Sequence, residues 1–176
     1  MNAGDGSGAF GARRLSGFTL FELIVVVCII AVLGIAALDK LFYYQELAEK
    51  RAMEYTVAIV KTGLQLRMAE LVSGNRESEI RQLATENPMR WLAEKPANYV
   101  GEFREPQSAG SWYFDPGTHH LNYMVRKDSY FESEQSGPKR IEYQVKVQYE
   151  PVEMFGARTN VLVGVSLIPT THYKWF

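Results

Sequence analysis

The sequence predicts an α+β protein. A long N-terminal helix, apolar along its first half and amphipathic along its second, packs on a C-terminal antiparallel β-sheet of about four strands. Three observations carry this reading. Residues 18–38 form an apolar run with a single charge, Glu22. Apolar residues then fall at Met53, Val57, Val60, Leu64, Met68 and Leu71, every three or four positions, which is the spacing of one helix face. From residue 111 onward the hydrophobic period drops to two, the period of a half-buried strand.

The composition alone conceals this division. The chain has 176 residues, 47% hydrophobic and 22% charged, with net charge −1. Those values are near the globular average and argue against a disordered chain, a collagen-like repeat or a polytopic membrane protein. The balanced charge leaves no basic footprint for nucleic acid. The single cysteine, Cys28, excludes an intramolecular disulfide and a cysteine-rich zinc site. It lies in the apolar run, where it reads as a small buried hydrophobe.

Taken in order, the first element is the apolar run. As a helix, residues 18–38 span ~32 Å, close to the ~30 Å hydrocarbon core of a bilayer. A domain this small rarely buries so long a helix on all sides, so a soluble core helix is the weaker reading. A secretory signal is weaker too, because its apolar region is usually ~7–15 residues, whereas here LFYYQELAEKR continues the helix. Arg13 and Arg14 precede the run, while Asp39 and Lys40 cancel just after it. The positive-inside rule then keeps the N-terminus cytoplasmic and exports the rest. Gly34 is the one soft spot, and no proline occurs before Pro88.

The amphipathic half should stop at Ser73–Gly74–Asn75. A short helical region follows over Ser78–Glu86, and Asn87–Pro88 reads as an N-cap with proline at the first helical position. Strands are expected over 111–114 and 121–125, joined by the turn sequence Asp115–Pro116–Gly117–Thr118. Two more are expected over 141–149 and 161–168. The first should turn Ile141, Tyr143, Val145, Val147 and Tyr149 to one face; the second, Val161, Val163, Val165 and Leu167. Residues 127–140 read as a solvated hairpin. The final THYKWF reads as a last strand or tail packed on the sheet, in preference to an exposed edge for a neighbour.

The junction before the apolar run carries the functional signal. RRLSG is followed by FTLFELIVVV, and the residues Gly17, Phe18, Thr19, Leu20 and Glu22 stand in order before a membrane-length helix. Here the chain resembles the type IV pilin and type II secretion pseudopilin superfamily, over about residues 13–55. The resemblance implies that a prepilin peptidase cuts after Gly17 and that the new N-terminal Phe18 is N-methylated. Residues 1–17 would then be a cytoplasmic leader, 18–38 a transmembrane and assembly helix, and 39–176 a periplasmic pilin-like domain. The leader's GDGSGAFG is no phosphate loop, since no strand precedes it. Thr19, Leu20 and Glu22 would take part in subunit assembly. The implied partners are other pilins or pseudopilins, the prepilin peptidase, an inner-membrane platform protein with its cytoplasmic assembly ATPase, and membrane lipid. The lack of a disulfide favours a pseudopilin or minor pilin. The presence of Glu22 favours a place in the filament body or just below its tip.

Glu22 also has a physical argument of its own. A carboxylate at the centre of a membrane helix costs about 2.5–3.5 kcal/mol, less near an end, and needs a partner. One source of compensation is its own helix N-terminus. The other is the α-ammonium of Phe18 on a neighbouring subunit, created by cleavage. Elsewhere no catalytic, metal or cofactor signature emerges. His119 and His120 are adjacent and would point to opposite faces of a strand, and His172 has no obvious companion. Asp115, Asp128, Glu132 and Glu134 do not have the spacing of a calcium loop. The competing function is a single-pass periplasmic enzyme or binding protein with an uncleaved anchor, its site in residues 96–176.

Overall fold

The structure, a computed structural model, describes residues 18–105, 107–134, 137–154 and 157–176. The architecture is α+β. Helix α1 runs from Leu20 to Ser73 without a break at Gly34. The chain divides into two compact units between Phe42 and Tyr43, so α1 contributes residues to both.

In the first unit, the residues of 18–42 are exposed. In the second, α1 lays its predicted stripe on the sheet. Met53, Val60, Leu64 and Leu71 are buried, and Val57 and Met68 are half-buried against them. The helix ends as its sequence suggested, with Asn75 rather than Gly74 taking the left-handed conformation at φ 56°. The Arg76 N–H reaches the Leu71 carbonyl at 2.8 Å and the Asn75 N–H reaches Val72 at 3.1 Å. These two bonds close a Schellman cap.

Next come a one-turn helix α2 (Glu77–Ile80) and two 3-10 turns, Arg81–Ala84 and Pro88–Trp91. The Asn87 side chain accepts the Met89 N–H at 3.0 Å, with Pro88 at the first position, as the sequence predicted. Trp91 and Leu92 pass close to α1 at Gly63. A Cβ there would stand 2.9 Å from Leu92 Cδ2 and 3.3 Å from the Trp91 carbonyl oxygen. Arg67, one turn on, stacks its guanidinium 4.3 Å from the Trp91 ring centroid.

Among the described residues seven strands follow: β1 (Tyr99–Glu102), β2 (Trp112–Asp115), β3 (His120–Met124), β4 (Phe131–Ser133), β5 (Arg140–Met154), β6 (Ala157–Pro169) and β7 (Tyr173–Trp175). Five form one sheet in the order β1-β2-β3-β5-β6, and β4 pairs with β7 in a second. The four expected strands are β2, β3, β5 and β6, and the main sheet holds one more. The additional strand β1 is four residues long, broken by an irregular register, and pairs with β2 in parallel. The remaining pairs are antiparallel. The β2–β3 hairpin turns where expected: Asp115 accepts the Gly117 N–H at 2.8 Å and the Thr118 hydroxyl at 3.0 Å.

Two further expectations are corrected. Residues 127–140 are not simply a solvated hairpin, since Phe131 is buried and opens β4 (Gln135 and Ser136 lie outside the described residues). Nor do Val161 and Val163 share the buried face of Val165 and Leu167. Gln148 pairs with Gly164 while Tyr149 pairs with Leu162, so Val163 is an extra residue in β6. That bulge exchanges the faces of the strand, leaving Val163 exposed and Leu162 packed on the core.

Candidate functional site

The strongest site reading from the sequence lies at the start of α1. Gly17 falls outside the described residues, as does the rest of 1–17. Phe18 precedes the helix and is 76% exposed; Leu20 and Phe21 are 77% and 75% exposed. Thr19 is the N-cap. Its hydroxyl accepts the Glu22 N–H at 3.2 Å, and its carbonyl accepts the Leu23 N–H at 3.1 Å. Thr-x-x-Glu just before an apolar run is the capping-box pattern, a signal present in the sequence that gives Thr19 a local role. Glu22 thereby lies in the first turn, where the unpaired amides of the helix favour a negative charge. Behind it the helix is long and apolar enough to serve as a membrane anchor or a signal sequence, and no part of that stretch is buried within the molecule.

A second constellation, unanticipated from the sequence, organises the head. Glu46 is buried, 1% exposed. Its Oε1 accepts the Tyr130 amide at 2.9 Å and the Trp175 indole N–H at 3.0 Å. One turn on, Glu49 accepts the Tyr123 hydroxyl at 3.0 Å, the Arg126 amide at 2.7 Å and the Lys127 amide at 3.0 Å. Lys50 donates to the Trp175 carbonyl at 2.6 Å. Burial, together with the adjacent Glu49 carboxylate, raises the Tyr123 pKa. These side chains clamp the 123–130 segment and β7 onto α1. The missed signal is positional: Glu46 and Glu49 lie two turns and one turn before Met53, on the side of the apolar stripe, where a charged residue needs a partner.

The remaining sequence candidates do not converge. His119 takes φ 60° in the β2–β3 turn, while His120 Nδ1 lies 3.4 Å from Glu142 Oε2. Among the described residues no group of three or more His, Cys, Asp or Glu side chains could hold a metal ion. A groove beside the end of α1 is lined by Val72, Glu77, Arg81, Tyr149, Asn160 and Leu162. Arg81 there stands over the Tyr149 ring at 5.6 Å. Another groove, bordered by Glu54, Lys61, Tyr143 and Tyr173, lies where the Tyr143 hydroxyl meets Met53 Sδ at 3.2 Å and the Tyr173 hydroxyl at 3.1 Å.

No family model, curated protein or solved structure matches the chain. The likeness to pilins therefore rests on architecture. A long hydrophobic N-terminal helix is followed by a mostly antiparallel sheet, and the amphipathic part of that helix packs on the sheet.

Proposed function

We propose that this chain is a structural subunit, a pseudopilin or minor pilin, of a type II secretion pseudopilus or a type IV pilus. In this reading it is held in a bacterial inner membrane with its head in the periplasm. A prepilin peptidase releases residues 1–17 after Gly17, Phe18 is N-methylated, and the chain joins a helical filament. The observation that carries the reading is the capped, wholly exposed apolar helix with its one carboxylate, Glu22, a turn from Phe18.

The chemistry follows from that placement. In lipid, or in a bundle of like helices, water cannot stabilise a carboxylate, and an α-ammonium created at Phe18 is an equally costly charge. Pairing Glu22 of one subunit with Phe18 of the next neutralises both and fixes the axial step between them. Van der Waals packing of residues 18–38 supplies the remaining order, because moving an apolar helix from lipid to helix contacts gains little hydrophobic energy. Extraction from the membrane must be driven from outside the chain, by an assembly ATPase acting through a platform protein.

Intact mass analysis of the protein purified from membranes tests this. The expected mature chain begins at Phe18 and carries one added methyl group. A chain that retains Met1, in cells with an active prepilin peptidase, overturns the filament reading and favours an uncleaved anchor.

A further inference from the structure

Three segments of the head meet above Glu46 and present an aromatic cluster at the edge of the core, with Phe176 half-buried against it. The Tyr43 ring packs edge-on against Tyr130 at 5.6 Å and Phe176 at 5.2 Å; Tyr130 and Phe176 stack at 5.0 Å, and Tyr44 meets Tyr43 at 5.5 Å. The Lys50 ammonium lies 5.7 Å from the Phe176 ring centroid. Tyr44 is 60% exposed and Tyr130 47%. The arrangement is built from beneath, since Glu46 binds the Tyr130 amide and the Trp175 indole, and the Phe176 N–H donates to the Tyr130 carbonyl at 3.2 Å.

Connectivity limits how far this cluster can be from a membrane. Tyr43 follows Leu38, the end of the apolar run, by five residues. Even fully extended, five residues reach only ~17 Å, and as helix ~8 Å. A bilayer ~40–45 Å thick overall around a ~30 Å hydrocarbon core leaves an interfacial layer of several ångströms on each side. Tyrosines are enriched in that layer because the ring prefers the apolar side and the hydroxyl the wet side.

We propose that Tyr43, Tyr44, Tyr130 and Phe176 form a seat for the phospholipid headgroup layer, holding the head against the bilayer before the subunit leaves it. This rests on the reading of residues 18–38 as a membrane span. The seat takes the interface of the same bilayer, and its rings must part from lipid when the subunit enters a filament.

The test uses the full chain in phosphatidylcholine–phosphatidylglycerol vesicles at fewer than one copy per vesicle, so that no second subunit can cover the cluster. A spin label on native Cys28 reports insertion. In a Cys28→Ser background, labels at Asp128→Cys, beside the cluster with all four rings intact, and at Val163→Cys, on the exposed bulge of β6, report the head. Relaxation by a water-soluble nickel chelate should be several-fold weaker at position 128 than at 163. Adding Tyr44→Ser and Tyr130→Ser should raise it to the level of 163. If Cys28 is shielded and position 128 is as accessible as 163, the seat is overturned and the anchor stands. If Cys28 itself is open to the chelate, the anchor reading fails and the seat falls with it.

Discussion

Glu46 is an ionisable side chain on the buried side of α1, and the donors around it explain its place there. Truncation to Glu46→Ala would leave the Trp175 indole and the Tyr130 amide without an acceptor. An abandoned buried donor costs about 1–3 kcal/mol, so the denaturant midpoint of the full chain in detergent should fall clearly. Glu46→Gln keeps an acceptor and should lose less; equal losses from the two would show that charge, rather than the acceptor, matters. Tyrosine titration gives a second test. Burial first, then the nearby Glu49 carboxylate, raises the Tyr123 pKa; burial first, then the hydrogen bond with Tyr173, raises that of Tyr143. The folded state thus keeps protons that an unfolded tyrosine releases near ~10. The stability held by these groups is fully present below that pH and falls as pH rises above it. Tyrosinate absorbance should show part of the signal appearing only with unfolding. A smooth titration of all tyrosines near ~10 in the folded protein would contradict this.

At the scale of elements, α1 combines two different environments in one helix, and local chemistry sets both of its ends. Thr19→Ala removes the hydroxyl that receives the Glu22 amide and should cost about 1 kcal/mol at the helix start. Faster amide exchange in the first turn, restored by Thr19→Ser, would register it. Gly63 is the point where α1 admits the Trp91–Leu92 backbone. A methyl group there gains about 1 kcal/mol of helix propensity but meets a leucine methyl at 2.9 Å and a backbone carbonyl at 3.3 Å. Overpacking typically costs about 1–3 kcal/mol. The leucine can rotate away and the carbonyl cannot, so Gly63→Ala should lower stability by about 1 kcal/mol net; a raised unfolding midpoint would show that the 91–92 segment yields. The strands divide along the same line. Asp115–Pro116–Gly117–Thr118 and Asn87–Pro88 were legible because each closes its own hydrogen bonds within three residues. The β6 bulge was not, since alternation along β6 carries no record of which residue its partner on β5 skips.

For the whole molecule, the sharpest expectation concerns Glu22. In the proposed filament, Glu22→Ala should leave removal of the leader intact, because the cut site precedes it, yet reduce incorporation severely. Immunoblots of membrane and sheared-filament fractions, scored separately for processing and assembly, would check this. Wild-type incorporation of Glu22→Ala would remove the ion pair from the mechanism, though not the filament itself. The two constellations divide the work. The α1 start presents one charge on an apolar surface, while the Glu46–Glu49 clamp holds the head's loops to the helix that carries it.

The sequence by itself determined the apolar run of 18–38, the stripe from Met53 to Leu71, the helix stop near Ser73, the Asn87 cap and the 115–118 turn. All of these depend on side-chain period or on hydrogen bonds between near neighbours. Only the tertiary structure decided the parallel strand β1, the β4–β7 pair, the bulge in β6 and the partners of Glu46. Those partners stand 84 and 129 residues away along the chain. Contacts at that separation depend on where the packed helix and sheet bring distant backbone amides, a property no local pattern of residues encodes.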